Sequence, residues 1–301
     1  MDNYGIAVTR LDSDCLTCIL KKELDRIPEG TPEEKRLAYK QQVLSMMGRV
    51  HKTMSPSEIS RDIQHLQMEM FGKQVDYPQI KSFFNKKMME YLPKTVEAVR
   101  QAEDPLRRAL QFSMGANYID FGMPQGVTED MLDAILTDSE QIEVSEDLLL
   151  EIREQLKEAQ SVVFLHDNCG EIVMDKLLIT EIRRQFPQAK ITSVVRGAEV
   201  LNDVTMEDAE QAGLAEVASV ISDGDDVAGT CLTRVSEECR DVMKHADVIL
   251  SKGQGNFETL RGCGLNIYYI FLCKCELFRK RFQVPAYAGM IVHERDTADL
   301  L

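Results

Sequence analysis

No stretch of this 301-residue chain is long and apolar enough to cross a bilayer as a helix. The longest apolar run, Ile267 to Cys273, has seven residues, against about 20 needed. Met1 to Arg10 carry no basic start followed by an apolar block, so no export signal is expected and the cytoplasm is the expected compartment. Positive charge is in short supply, with 35 Lys and Arg against 50 Asp and Glu and a formal charge of −15. A surface of that sign repels nucleic-acid phosphates, which argues against wrapping a nucleic acid. It still admits a small anionic ligand, because a divalent cation and a lysine make one pocket locally positive. Cys15-x-x-Cys18 has no second Cys-x-x-Cys to complete a four-ligand zinc site. Walker A order, a dinucleotide fingerprint, internal repeats and low-complexity tracts are also missing. Eight cysteines are present, yet in a reducing compartment a disulfide framework is not expected.

What remains is an ordinary globular balance, 44% hydrophobic and 28% charged. The length suits one large domain, or a principal domain with a smaller partner. The two halves read differently, and we divide the chain into 1–150 and 151–301. From Cys15 to Leu150 the pattern is helical, rich in Leu, Met, Lys, Glu and Gln and punctuated by prolines, Pro93 among them. Ser55-Pro56-Ser57-Glu58 and Asp104-Pro105 have the form of helix starts. From Ser161 onward short β-rich runs alternate with helical segments. The strand candidates are Val162–His166, Ile191–Val195, Val217–Ile221, Asp247–Ser251 and Ile267–Cys273, with Val284–Val292 as one more. Glu171–Gln185, Met206–Ala212, Gly229–His245 and Phe257–Arg261 are helix candidates, and Arg295–Leu301 reads as a polar tail. This alternation implies an α/β fold, a Rossmann-like and mostly parallel sheet beside a helical N-terminal region.

In an open parallel sheet, ligands collect at the carboxyl ends of the strands. There the sequence places His166-Asp167-Asn168-Cys169-Gly170-Glu171, Arg196-Gly197 with Asn202-Asp203, Asp223-Gly224-Asp225-Asp226, and Lys252-Gly253-Gln254-Gly255-Asn256. Each is a polar loop containing or flanked by glycine. Asp167, Asn168 and Asp203 offer oxygen ligands for a hard divalent cation. Equally, Asp167 and Asn168 are good helix caps and Asp203 a good turn residue. Lys252, Gly253, Gly255 and Asn256 have the composition of an anion-binding loop, in which backbone N–H groups and a lysine meet an oxyanion. A glycine-rich turn without a ligand has the same composition. Asn117 and Asp120 either reach this pocket from the helical half or finish a helix at Gly122. Cys169 reads as a pocket-wall residue, since no motif places a His beside it. Cys15, Cys18 and Cys275 are either reduced structural thiols or parts of a second metal site.

Taken together, Asp-Asn-x-Gly-Glu at 167–171, Arg-Gly with Asn-Asp at 196–203, and Lys-Gly-Gln-Gly-Asn-Phe-Glu at 252–258 resemble the damage-control phosphatase family. That family was formerly a domain of unknown function and is related to proteins described as carboxyl methyltransferases. Gly115 to Gly122 resembles a further family motif, and Cys15-x-x-Cys18 with Lys274-Cys275 is similar to its mostly prokaryotic subgroup. The likeness runs from about residue 11 to 293. It implies a divalent metal (Mg, Mn, Co or Ni) held by Asp167, Asn168 and Asp203. It also implies hydrolysis of a small phosphorylated metabolite, with Lys252 contacting the phosphate; for such a reaction Asp167 is our candidate for a second role, as nucleophile or as base for water. Arg196, Asn117, Asp120, Gly253, Gly255 and Asn256 complete the expected substrate site. Two departures touch the pocket: Cys169 stands where alanine is common, and Ala198-Glu199 replaces Lys-Pro. The rival readings are a methyltransferase using S-adenosylmethionine and a non-catalytic metal-binding protein built on the cysteines.

Overall fold

The computed structural model describes residues 11–117 and 137–300. Six strands form one sheet: β1 Ser161–Leu165, β2 Lys190–Val195, β3 Ser219–Ser222, β4 Val248–Lys252, β5 Ile267–Cys273 and β6 Ala288–His293. Their order is β3-β2-β1-β4-β5-β6, parallel throughout except for β6, which runs antiparallel to β5. The central strands are short runs of β-branched and aromatic residues buried on both faces, as a helix-covered parallel sheet requires. Alternation divides them between two cores. Val162, Phe164, Val248, Leu250, Tyr268 and Ile270 face one, while Val163, Leu165, Ile249, Tyr269 and Phe271 face the other.

The first core is covered by α4 (Tyr77–Gln101), α5 (Pro105–Ala116), α6 (Glu146–Glu158) and α7 (Glu171–Gln185). The shorter α8 (Met206–Gln211), beside β3, adds Ala209 to this first core. The second is covered by α9 (Glu237–Lys244), α10 (Gln254–Leu260) and α11 (Glu276–Phe282). A third cluster lies among α1 (Ser13–Asp25), α2 (Glu33–Met47) and α3 (Pro56–Phe71), centred on Tyr39, Val43, Ile59 and Ile63. The Ser55–Glu58 start of α3 is a complete capping box, and Asp104 caps α5 through the Arg107 N–H.

Several elements differ from the sequence expectation. Pro93 does not break its helix: α4 runs through it to Gln101. The helix expected from Gly229 begins only at Glu237, capped by Ser236. Gly229 has φ 134°, and a Cβ there would meet the Gly255 carbonyl at 2.7 Å, so this stretch is a close-packed turn. The polar tail instead opens on buried Glu294, which accepts N–H bonds from Gly262 and Gly264 and the Tyr269 hydroxyl, and continues as a 3₁₀ helix. No described helix is long and apolar enough to cross a membrane.

Candidate active site

Strands β1 and β4 are neighbours, but the chain leaves β1 towards β2 and β4 towards β5. The connections therefore diverge from their carboxyl ends, a topological switch point, where sheets of this kind hold their ligand crevice. Asp167 follows β1 and Lys252 ends β4. The turn after β2 folds back so that Asn168 and Asp203 form an antiparallel bridge, with Val204 N–H on the Asp167 carbonyl at 2.9 Å. Gly253 closes the other side. It has φ 81°, and a Cβ on it would lie 2.1 Å from the Asp167 carboxylate. Only glycine permits that approach.

The crevice is densely anionic. Asp167 is 9% exposed, and Asp203, Glu171, Asp175 and Asp223 are 4% or less. Arg196 and Lys252 are the buried cations that pair with Asp203, Asp223, Glu171 and Asp175. Buried Lys81, paired with Asp208, also offsets Asp203, so counting Asp208 six carboxylates face three cations. Burial, then the nearby Asp203 and Glu171 charges, push the Asp167 carboxyl up to about 8. Burial likewise raises Asp203, with Arg196 opposing it. Asn117, capping the C-terminus of α5, donates to Asp167 Oδ2 at 3.0 Å and Glu171 Oε2 at 2.7 Å. The helix itself ends at Ala116 with Asn117 as its cap, and Gly122, the expected end, lies outside the described residues. Asp120 lies outside the described residues.

Arg196 and Lys252 are placed at this site, but with their donors turned inward. Arg196 is the hub: Nε binds Asp203 Oδ2 at 2.8 Å, Nη1 binds Asp223 and Thr230, and Nη2 binds the His166 carbonyl and Asn256 Oδ1. All five of its N–H donors are engaged, so it positions Asp203 instead of greeting a substrate. Lys252 Nζ meets the Ser113 carbonyl at 3.0 Å, Asp175 Oδ1 at 2.9 Å, and Glu171 Oε1. Burial works against its charge, but Asp175 and Glu171 more than restore it. The direct phosphate contact expected of Lys252 is replaced here by ion pairs. Asn256 is equally committed, donating to the His166 and Lys252 carbonyls and accepting from Arg196 and Thr230. Gly253 N–H goes to the Ile270 carbonyl, so it is not an oxyanion donor. Gly255 is small because the Ala228 carbonyl would lie 2.8 Å from a Cβ.

The donor set fits a hard divalent cation. Asp167 Oδ1 and Asp203 Oδ1 have no hydrogen bond among the described residues. Asn168 Oδ1 accepts one bond from Asn202, leaving a second lone pair. The set is two carboxylates and an amide; among the described residues no three His, Cys, Asp or Glu side chains are grouped to hold a metal. That also bears on Cys15, Cys18 and Cys275, which are free thiols not gathered into such a group.

Sequence reasoning missed Glu171 as a site residue, together with Asp175 and His166. Glu171 and Asp175 are one turn apart among the buried, mostly apolar residues of α7. That spacing on an apolar face was the available signal. His166 Nδ1 sits 3.0 Å from Asp175 Oδ2, while its buried Nε2 has no partner.

Residues 11–289 match the family model described as "Damage-control phosphatase ARMT1-like domain". A damage-control phosphatase of Archaeoglobus fulgidus is 34% identical over 215 residues, covering 69% of this chain and 72% of that one. One from Pyrococcus horikoshii is 27% identical over 290 residues, covering 92% and 95%. Among solved structures, a DUF89 family protein from Pyrococcus horikoshii aligns with a TM-score of 0.78 at 24% identity, over 95% of this chain and 99% of that one. Motifs, fold and near full-length similarity agree: this chain belongs to the damage-control phosphatase family.

Proposed function

We propose that the protein is a metal-dependent phosphatase hydrolysing a small phosphorylated metabolite, a sugar phosphate or a damaged phosphometabolite. The observation that carries this reading is the buried excess of carboxylates around Asp167 and Asp203, in a family whose relatives are named phosphatases. Asp167, Asn168 and Asp203 would hold Mg²⁺, Mn²⁺, Co²⁺ or Ni²⁺, which when bound offsets both their charge and that of the phosphoryl oxygens.

The chain's own residues supply positioning. Asn117 and Asn168 hold Asp167 through Oδ2 and so fix the carboxylate, whose two oxygens would be shared between the ion and the reaction, as nucleophile on phosphorus or as base for an attacking water. Arg196 fixes Asp203 through Nε, and Lys252 fixes Glu171, which in turn orients Asn117. Phosphoryl transfer asks mainly for such preorganised electrostatics. The test is phosphate release from a panel of sugar phosphates by chelator-stripped protein, with and without added divalent ions. Release restored by metal and lost in Asp167→Asn and Asp203→Asn is expected. Undiminished release after chelation, or from both variants, would overturn the reading.

A further inference from the structure

Against the turn that carries Asp203 lies a half-open chamber of about 690 Å³, lined in part by Val200 and Leu201, within the range of small-molecule sites. Its walls come from α3, the segment after it, the first turn of α4, Glu199–Leu201 and Asp226. Two of these walls are rooted in the candidate site. Asp203 N–H bonds back to the Val200 carbonyl, so the turn that forms the chamber wall also delivers Asp203. Asp226 follows Asp223, which Arg196 holds together with Asp203. On α4, Tyr77 lines the chamber, while Lys81, one turn on, donates to the Asp203 carbonyl at 3.1 Å.

The chamber's charges are matched. Arg26, Arg61 and Lys73 stand against Glu69, Glu199 and Asp226. The cations are moreover occupied: Arg61 by Asp226 and Asp62, Lys73 by Glu199 and Asp76, and Arg26 by Glu23. His65 Nε2 also lies 2.6 Å from Asp226. Among the described residues every lysine and arginine lining the chamber already has an acidic partner, and Glu199 and Asp226 would repel a second anionic group at close range.

We infer that this chamber receives the organic part of the substrate, and that Glu199 and Asp226 are specificity determinants, excluding phosphoesters that carry a further carboxylate or phosphate. The inference rests on the phosphatase reading. A matched pair of probes tests it, glycerol 3-phosphate and 3-phosphoglycerate, which differ by one carboxylate. The wild-type protein, loaded with Mn²⁺, should favour the neutral ester in kcat/KM. Glu199→Gln frees Lys73 from its Glu199 pair, and Asp226→Asn releases Arg61 from its Asp226 pair. Each should shift the ratio towards phosphoglycerate by roughly three- to tenfold, one charge removed at close range in a partly wet site. Two substitutions on different walls guard against a local folding defect in one, and activity on glycerol phosphate shows that each remains competent. An unchanged ratio in both active variants, or a wild-type preference for phosphoglycerate, would overturn the specificity assignment. No release from either ester by the wild type would instead sink the phosphatase reading beneath it.

Discussion

Gly253 is glycine because Asp167 occupies the space a side chain would need. Gly253→Ala adds a methyl group 2.1 Å from that carboxylate, on a backbone with φ 81°. Either the loop or Asp167 must then move, and displacements of this size at a catalytic group cost about 10²-fold. Steady-state kinetics should show that fall in kcat/KM, along with a lowered Tm. Lys252 makes a different kind of contribution. Lys252→Met leaves Glu171 and Asp175 buried without their cation, which typically costs about 3–5 kcal/mol. Urea unfolding should register that loss even before activity is measured. The sequence pointed to Lys252 and Asp167 through their loops, yet it did not show that Lys252 faces inward. A lysine beside glycines reads the same whether its ammonium meets a ligand or two acids on a neighbouring helix. Glu171 was hidden for the converse reason: an acid in a first turn is ordinary helix chemistry until the whole face proves buried, and Asp175, one turn on, reads as solvated until then.

At the level of elements, helix α6 is tied to β5 and the chain's end through Glu151. It accepts from the Tyr268 hydroxyl at 2.6 Å and from Arg295 at 2.6 and 2.5 Å. The hydrogen bonds from Arg295, helped by the Tyr268 hydroxyl, draw its carboxyl down from 4.5 to about 2 against the opposing effect of burial. A depressed carboxyl stabilises the fold above its unfolded value and loses that contribution as pH falls from about 4.5 towards 2. Glu151→Gln should therefore lower Tm at pH 7 by about 1–3 °C, as expected for a partly exposed network. The difference from wild type should shrink over that acid window. Thermal melts between pH 7 and 2 check both signs. Strand β5 was read with its limits correct because Ile267–Cys273 is an unbroken apolar β-rich run. Helix α9 was read as starting eight residues too early, because the turn at Gly229 is set by its contact with Gly255 and not by local propensity. Pro93 shows the same limit: tertiary packing of α4 outweighed a local breaker.

For the whole molecule, the α/β architecture was legible because the alternation of strand and helix periods survives in the sequence. The convergence of α5 on the crevice was less so, since Asn117 is brought to Asp167 across 50 residues of chain by packing against α7. The crevice itself combines a parallel sheet, a returning β2 turn and a helix end around carboxylates that burial makes costly to keep charged. Such an arrangement persists in a folded protein when something compensates it. The most direct measurement is equilibrium dialysis of Mn²⁺ against the chelator-stripped protein and its Asp167→Asn and Asp203→Asn variants. One ion bound per chain by the wild type, with affinity reduced at least tenfold in each variant, is the expected result. Equal Mn²⁺ binding by all three proteins, or none by the wild type, would contradict it.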